Sequence, residues 1–213
     1  MPNAQGRPTL GDLIAEIEDD IERADLNQQV RIAVARAIRE YQPDRFGWNE
    51  RVLTFTTLAG TDVYGGGDLS EIPDLYAVDT MVLVENGQVW PLARVAEAAI
   101  ETTQQDTAGG RPCRWSFLDR SIRLDPVPDG AYSIRLTGQI QVPAPATDDD
   151  TSPWVDEAGT LIAAWAKRHL AMNALRDDRM AARQDAAVTA AWRRLRGRAN
   201  RIASAGVIRA HSL

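Results

Sequence analysis

The sequence predicts an α+β chain, with a helical layer built from both chain ends, an inserted small antiparallel β domain, and an extended C-terminal tail. Three observations carry that expectation. Apolar residues recur at three and four along residues 10–41 and again from Pro153 onward, the period of helices with one buried face. Between these stretches the period drops to two, and β-branched and aromatic residues become frequent. The same middle stretch holds the strongest turn signals, Asn86-Gly87 and Pro126-Val127-Pro128-Asp129-Gly130, whose residues tolerate φ > 0 or fix φ where a chain must reverse. The expected divisions are 1–45 for an N-terminal helical hairpin and 46–150 for the β domain. Residues 151–203 would form C-terminal helices packing with the hairpin, and 204–213 the tail.

Thr9 opens the first helix, with acids in its first turns where the helix dipole favours them. Leu10, Leu13, Ile14, Ile17 and Ile21 make its apolar stripe. Asp25 is expected to cap a second helix, on which Val30, Val34, Ala37, Ile38 and Tyr41 repeat the pattern before Pro43 ends it. From Phe46 the chain alternates, with Val52, Thr54 and Thr56 set against Leu53, Phe55 and Thr57. Residues 65–68 (Gly-Gly-Gly-Asp) read as a loop, and Ile72-Pro73 leads into a strand reaching Val84. Asn86-Gly87 folds residues 88–92 back onto that strand. Residues 95–103 read as a short helix or irregular crossing, and 102–110 as an exposed loop. Residues 115–118, 122–124 and 132–136 are then expected as a three-strand meander, turning tightly at Asp119-Arg120 and again at the proline-rich segment.

Ser152-Pro153 pairs a cap residue with proline at the first helical position. The helix that follows is expected to run to about Arg176. Trp154 and Trp165 are eleven residues apart, so a continuous helix holds them within about 20° of one face. Both are expected to be buried, with Leu161 and with Leu13, Ile17, Val34 and Ile38 of the hairpin, as the structural core. Asp178 starts a last helix through Ala203. Its apolar positions, Ala182, Ala186, Val188, Ala191, Trp192, Leu195, Ala199 and Ile202, drift around the axis and give a weak stripe. Residues 204–213 have no period and are expected as a free or partner-bound tail.

Charge is distributed unevenly. The net value is −6, yet residues 9–25 hold seven acids and one base, whereas residues 167–213 hold eleven bases and three acids. Lys167 is the only lysine; arginine favours bidentate contacts with carboxylates and phosphates. A single cysteine, Cys113, excludes an intramolecular disulfide framework and fits a reducing compartment or a virion assembled in one. There is no apolar run long enough to span a membrane, and residues 1–7 lack the apolar core of a secretion signal.

Enzyme chemistry finds no constellation. His169 and His211 are 42 residues apart, the second in the expected tail, and His169 reads as a surface or packing residue. Cys113 follows a proline at a strand start, where a small buried hydrophobe is the ordinary role. No P-loop, zinc spacing or dinucleotide fingerprint occurs. Asp148-Asp149-Asp150 is the one acidic cluster, but it lacks the alternating ligands, central glycine and terminal glutamate of a calcium loop. It reads as a solvated loop before a helix N-terminus, where negative charge is favourable. Arg193, Arg194, Arg196, Arg198 and Arg201, with Trp192, form the densest basic run. It is followed by small and apolar residues, which suit docking into a protein groove better than tracking a phosphate backbone.

The chain resembles the head-to-tail adaptor (connector) proteins of tailed bacteriophages, of the short-tailed-phage type. The likeness runs from Thr9 to about Leu195. It begins with Thr9-Leu10-x-x-Leu13-Ile14, then Ile38-x-x-Tyr41 before Phe46-x-Trp48-x-Glu50. Gly110-x-Pro112, the Pro126-x-Pro128-Asp129-Gly130 turn, Asp150-x-x-Pro153-Trp154 and Leu161-Ile162-x-x-x-Ala166 complete it. The chain departs from the pattern in having Trp115-Ser116-Phe117 where a tyrosine is often found, and a glycine loop in place of a proline near Tyr64. The resemblance implies a helical body made from both chain ends with an inserted β domain, and no catalytic residue, cofactor or membrane contact. It also implies a dodecameric homo-oligomeric ring beneath the portal protein at the neck of the virion, assembled in the bacterial host cytoplasm. That ring would extend the channel for packaged DNA, without sequence-specific binding, and dock a tail nozzle or tube protein on its far side. The C-terminal segment would reach the portal, through Arg193, Arg194, Arg196, Arg198, Arg201, Ile202, Val207, Ile208 and Leu213. Two alternatives stay open: a β-sandwich glycan-binding virion module using Trp48, Trp90 and Trp115, and a DNA-binding protein using the basic C-terminal helix.

Overall fold

A computed structural model of the protein describes residues 6–65, 72–104 and 108–203. The fold is α+β, and the chain divides into a helical unit, residues 1–47 with 142–213, and a β unit, residues 48–141. The glycine loop after Gly65 and the tail 204–213 lie outside the described residues.

In the helical unit, α1 (Leu10–Asp20) starts in a reciprocal capping box. The Asp12 N–H donates to the Thr9 hydroxyl at 3.2 Å, and the Thr9 N–H donates to the Asp12 carboxylate at 3.0 Å. Leu10, Leu13, Ile14 and Ile17 are buried. Glu22 turns the chain at φ 54°, and a 3-10 turn (Ala24–Leu26) precedes α2 (Asn27–Tyr41). Asp25 therefore does not cap α2. Its carboxylate faces back to Arg23 at 2.6 and 2.7 Å, and Leu26 occupies the cap position without a side-chain bond.

The helix expected from Pro153 to Arg176 is three pieces. α4 (Pro153–Asp156) starts as its sequence dictates, with the Trp154 N–H donating to the Ser152 hydroxyl. The chain then breaks at Ala158, and α5 (Gly159–Leu170) follows. Gly159 faces α1, where an added Cβ would sit in ordinary contact with Leu13 Cδ1, at 3.9 Å. A π-helical turn (Ala171–Leu175) and Arg176 in the left-handed region lead to α6 (Asp178–Ala203). α5 packs against α1, α2 and α6 together, which places Leu161, Ile162, Ala166 and Leu170 at the centre of this unit.

The β unit contains two four-stranded sheets. One is ordered β1 (Glu50–Thr56), β8 (Ser133–Ile140), β3 (Leu75–Glu85), β4 (Gln88–Pro91). The other is ordered β2 (Val63–Gly65), β7 (Ser121–Asp125), β6 (Arg114–Leu118), β5 (Ala93–Arg94). A short helix, α3 (Glu97–Gln104), lies between β5 and β6 in the chain. The Asn86-Gly87 turn has φ 51° and 76°, and Asp119-Arg120 has 48° and 61°; both are paired left-handed turns that match strand twist. Phe55, Leu83, Ile134 and Leu136 of the first sheet share one core with Tyr64, Trp115, Ile122 and Leu124 of the second.

The expected three-strand meander is not formed. β6 and β7 pair as a hairpin, but β8 leaves that sheet and becomes the central strand of the other, between β1 and β3. Residues 126–132, with prolines at 126 and 128, are too long and too constrained for a tight hairpin, and they carry the chain across the core. β3 reaches β8 through two register irregularities, and Gly138 lies opposite them.

Candidate functional site

α6 shows two faces. Met180, Val188, Ala191 and Leu195 are buried, while Ala182 and Ala186, expected on the apolar stripe, face solvent. The drift in the pattern comes from counting alanines, which are indifferent to side, and from omitting Met180. Trp192 belongs to the packing of the helical unit, its ring 5.3 Å from Tyr41 and 5.8 Å from Phe46 between centroids. The Arg196 guanidinium covers that ring at 5.5 Å. Arg193, Arg194, Arg196 and Arg198 are all exposed. The side chains of Arg201 and Ile202, and residues Val207, Ile208, His211 and Leu213, lie outside the described residues.

Of the expected core, Leu13, Ile17, Val34, Ile38, Trp154 and Leu161 are buried. Trp165 is not enclosed; it is half-buried. The break at Ala158 destroys the helical phase that would align it with Trp154. Its ring stacks instead on His169 at 5.3 Å, with Arg168 over it at 5.8 Å. His169 in turn meets Arg36 Nη1 at 3.0 Å, and burial, then Arg36 and Arg168, hold its pKa below the ordinary value. It is thus a hydrogen-bonding and packing group of the α2–α5 contact.

Cys113 is exposed rather than buried. It lies just before β6, outside the strand's alternation, so the buried Trp115 two residues on does not carry it inward, while its backbone N–H and C=O pair with Asp125 and Ala93. The acidic loop sits at a helix start as expected, but it serves α1. The Leu10 and Gly11 N–H groups donate to the carbonyls of Asp150 and Asp148, each at 3.0 Å, satisfying two donors that a helix start leaves open. The Asp150 carboxylate accepts the N–H groups of Thr147 and Ala146, which hold its pKa low, and Asp148 pairs with Arg31 at 2.6 Å. Among the described residues no group of three His, Cys, Asp or Glu is placed to hold a metal ion.

The three tryptophans of the glycan-binding reading do not share one environment: Trp90 is exposed, Trp48 half-buried and Trp115 enclosed. Trp115 is 1% exposed and its indole N–H is committed to the Leu92 carbonyl, and Trp90 lies under Arg111 at 4.8 Å.

One polar cluster carried no signal in the sequence. Arg123 on β7 pairs with Asp62 at 2.9 Å and Glu97 at 2.6 Å, and Glu97 also accepts from the Ser116 hydroxyl, so α3 is latched onto β6 and β7. Its members are 61 and 26 residues apart, and no local pattern links them. Burial pushes the Glu97 pKa up, but the bonds from Ser116 and Arg123 outweigh it and hold the carboxyl below its ordinary 4.5. A carboxyl depressed in the fold stabilises it fully above that value, and the contribution is lost as pH falls through the lowered pKa. Arg123→Ala should therefore destabilise the chain by about 2 kcal/mol at neutral pH. The gap between the two proteins in urea unfolding should narrow as pH falls below 4.5 and through the lowered Glu97 pKa; an unchanged gap would place the effect elsewhere.

A family model described as SU10 adaptor protein matches residues 8–210, which takes in both units. No curated protein matches the chain.

Proposed function

The chain belongs to the SU10 adaptor protein family, a phage head–tail adaptor family, and from that premise we propose that it forms a ring below the portal. Its role is structural, that of an adaptor between components of a bacteriophage virion. In the proposed arrangement the ring extends the portal channel, retains packaged DNA and presents a face on which a tail nozzle or tube protein docks. Twelve copies would match the portal's symmetry in the family that the sequence resembles. The C-terminal segment from Arg196 to Leu213 reaches onto the portal, its arginines meeting acidic portal surface while Ile202, Val207, Ile208 and Leu213 fill a groove. The observation that carries this reading is the family match over nearly the whole chain. A net charge of −6 also suits a channel that DNA slides through without being held.

Purified protein mixed with its portal and imaged by electron microscopy should show a ring added at one end of the portal. Removing residues 204–213 should abolish that attachment while the circular dichroism spectrum stays unchanged. Portals that remain bare with the full chain would overturn the adaptor ring. Full attachment by the shortened chain would transfer docking to another surface.

A further inference from the structure

We propose that the outward face of α6 docks on the outward face of α1 in a second copy of this chain, and that this head-to-tail contact closes the ring. The inference rests on the ring reading above and supplies its subunit interface. Arg179, Arg183, Arg193 and Arg194 are exposed; Arg179 and Arg193 fall on the side of α6 opposite its buried Met180, Val188, Ala191 and Leu195, and Arg183 and Arg194 on the flank beside them. Exposed Ala182, Ala186 and Ala190 lie between the two arginine pairs, so a partner helix can approach there closely. On α1 and the turn after it, Glu16, Asp19 and Glu22 are exposed. The neighbouring acids are engaged: Asp20 with Lys167, Asp25 with Arg23, Glu18 with Asn27. Among the described residues neither Glu16, Asp19 and Glu22 nor the four arginines have an ion-pair partner.

The two faces are not placed to satisfy each other within one chain, because α1 packs on α2 and α5 while α6 packs on α5. Opposite charges on two different surfaces of one unit make a heterologous contact, and such contacts generate rings when the rotation closes. Charge complementarity of this kind sets register and partner choice. DNA fits the arginine face less well, since the alanines separate its two basic ends. Arg193 and Arg194 thus go to the neighbouring subunit, and the portal segment begins at Arg196.

The test reverses each face. One variant carries Arg179→Glu, Arg183→Glu, Arg193→Glu and Arg194→Glu, and the other carries Glu16→Arg, Asp19→Arg and Glu22→Arg. All these side chains are exposed, and circular dichroism checks that both variants fold. Each alone should assemble about tenfold or more weakly than wild type, by mass photometry and on portal particles. An equimolar mixture should recover rings, because each variant then meets its complement, and a chain carrying both sets should recover them alone. Rings that survive both single reversals, or a mixture that fails to recover, would overturn this contact and leave the adaptor reading standing. A wild-type chain that forms no ring even with the portal would overturn the adaptor reading itself.

Discussion

Replacing Trp154 with alanine should lower the stability of the helical unit by about 3–5 kcal/mol, the range for deleting an enclosed aromatic. The side chain is 0% exposed, meets Phe46 edge-on at 5.8 Å between centroids, and donates its indole N–H to the Val142 carbonyl at 3.0 Å. Alanine would leave a cavity and also strip a buried carbonyl of its donor, and each effect destabilises separately. Trp154→Phe should recover part of the packing but not the hydrogen bond. Trp165→Ala is the internal comparison, because that ring is half-buried and its loss should cost clearly less. Chemical denaturation of the three variants measures the order; equal losses at 154 and 165 would contradict the burial difference.

Gly138→Ala should destabilise the β unit by about 3 kcal/mol, the upper end for overpacking a filled site. A Cβ there would lie 2.3 Å from the Ala77 carbonyl oxygen and 3.2 Å from Val78 Cα. Those are backbone atoms of β3, so no side chain can rotate away, and the central strand pair must move apart. The opposite sign is expected at Gly197, in α6, where nothing lies within 4 Å of an added Cβ. Gly197→Ala should stabilise by about 0.5–1 kcal/mol through helix propensity alone. Thermal unfolding of both variants checks the pair, and a neutral Gly138→Ala would mean that the strands are looser there than their register implies.

What the sequence made legible is what neighbouring residues decide among themselves. Thr9 with Asp12, Ser152 with Pro153, and Asn86 with Gly87 each specify a local geometry within four residues, and each is formed. The destination of β8 was not legible. Its alternation marks it as a strand with one buried face, but Leu136 could as well have packed beside Leu124 in one sheet as beside Met81 in the other. Length and stiffness of residues 126–132 decide that choice. Trp165 failed for a related reason: a helical wheel assumes a continuous helix, and the chain breaks at Ala158 between α4 and α5. The candidate site was readable as a charged surface, because solvated arginines need no partner to be recognised. Which acids face outward was not, since Asp20 and Glu16 look alike until Lys167 is seen to take the first.

The β unit begins and ends at one place. Ile140 donates to the Asn49 carbonyl at 2.8 Å and Glu50 pairs with Gln139, so its two ends are strand neighbours. Within the helical unit, the Gln42 amide donates to the Val142 carbonyl at 3.2 Å, so the two chain segments flanking the insertion also lie side by side. A segment whose ends meet in this way behaves as a cassette. Recombination between related viral genomes can exchange residues 48–141 for a foreign sheet without rethreading the helices, provided the incoming ends are equally close. Residues 48–141 and the helical frame can then vary separately, each held to the other only by the need for closely spaced ends.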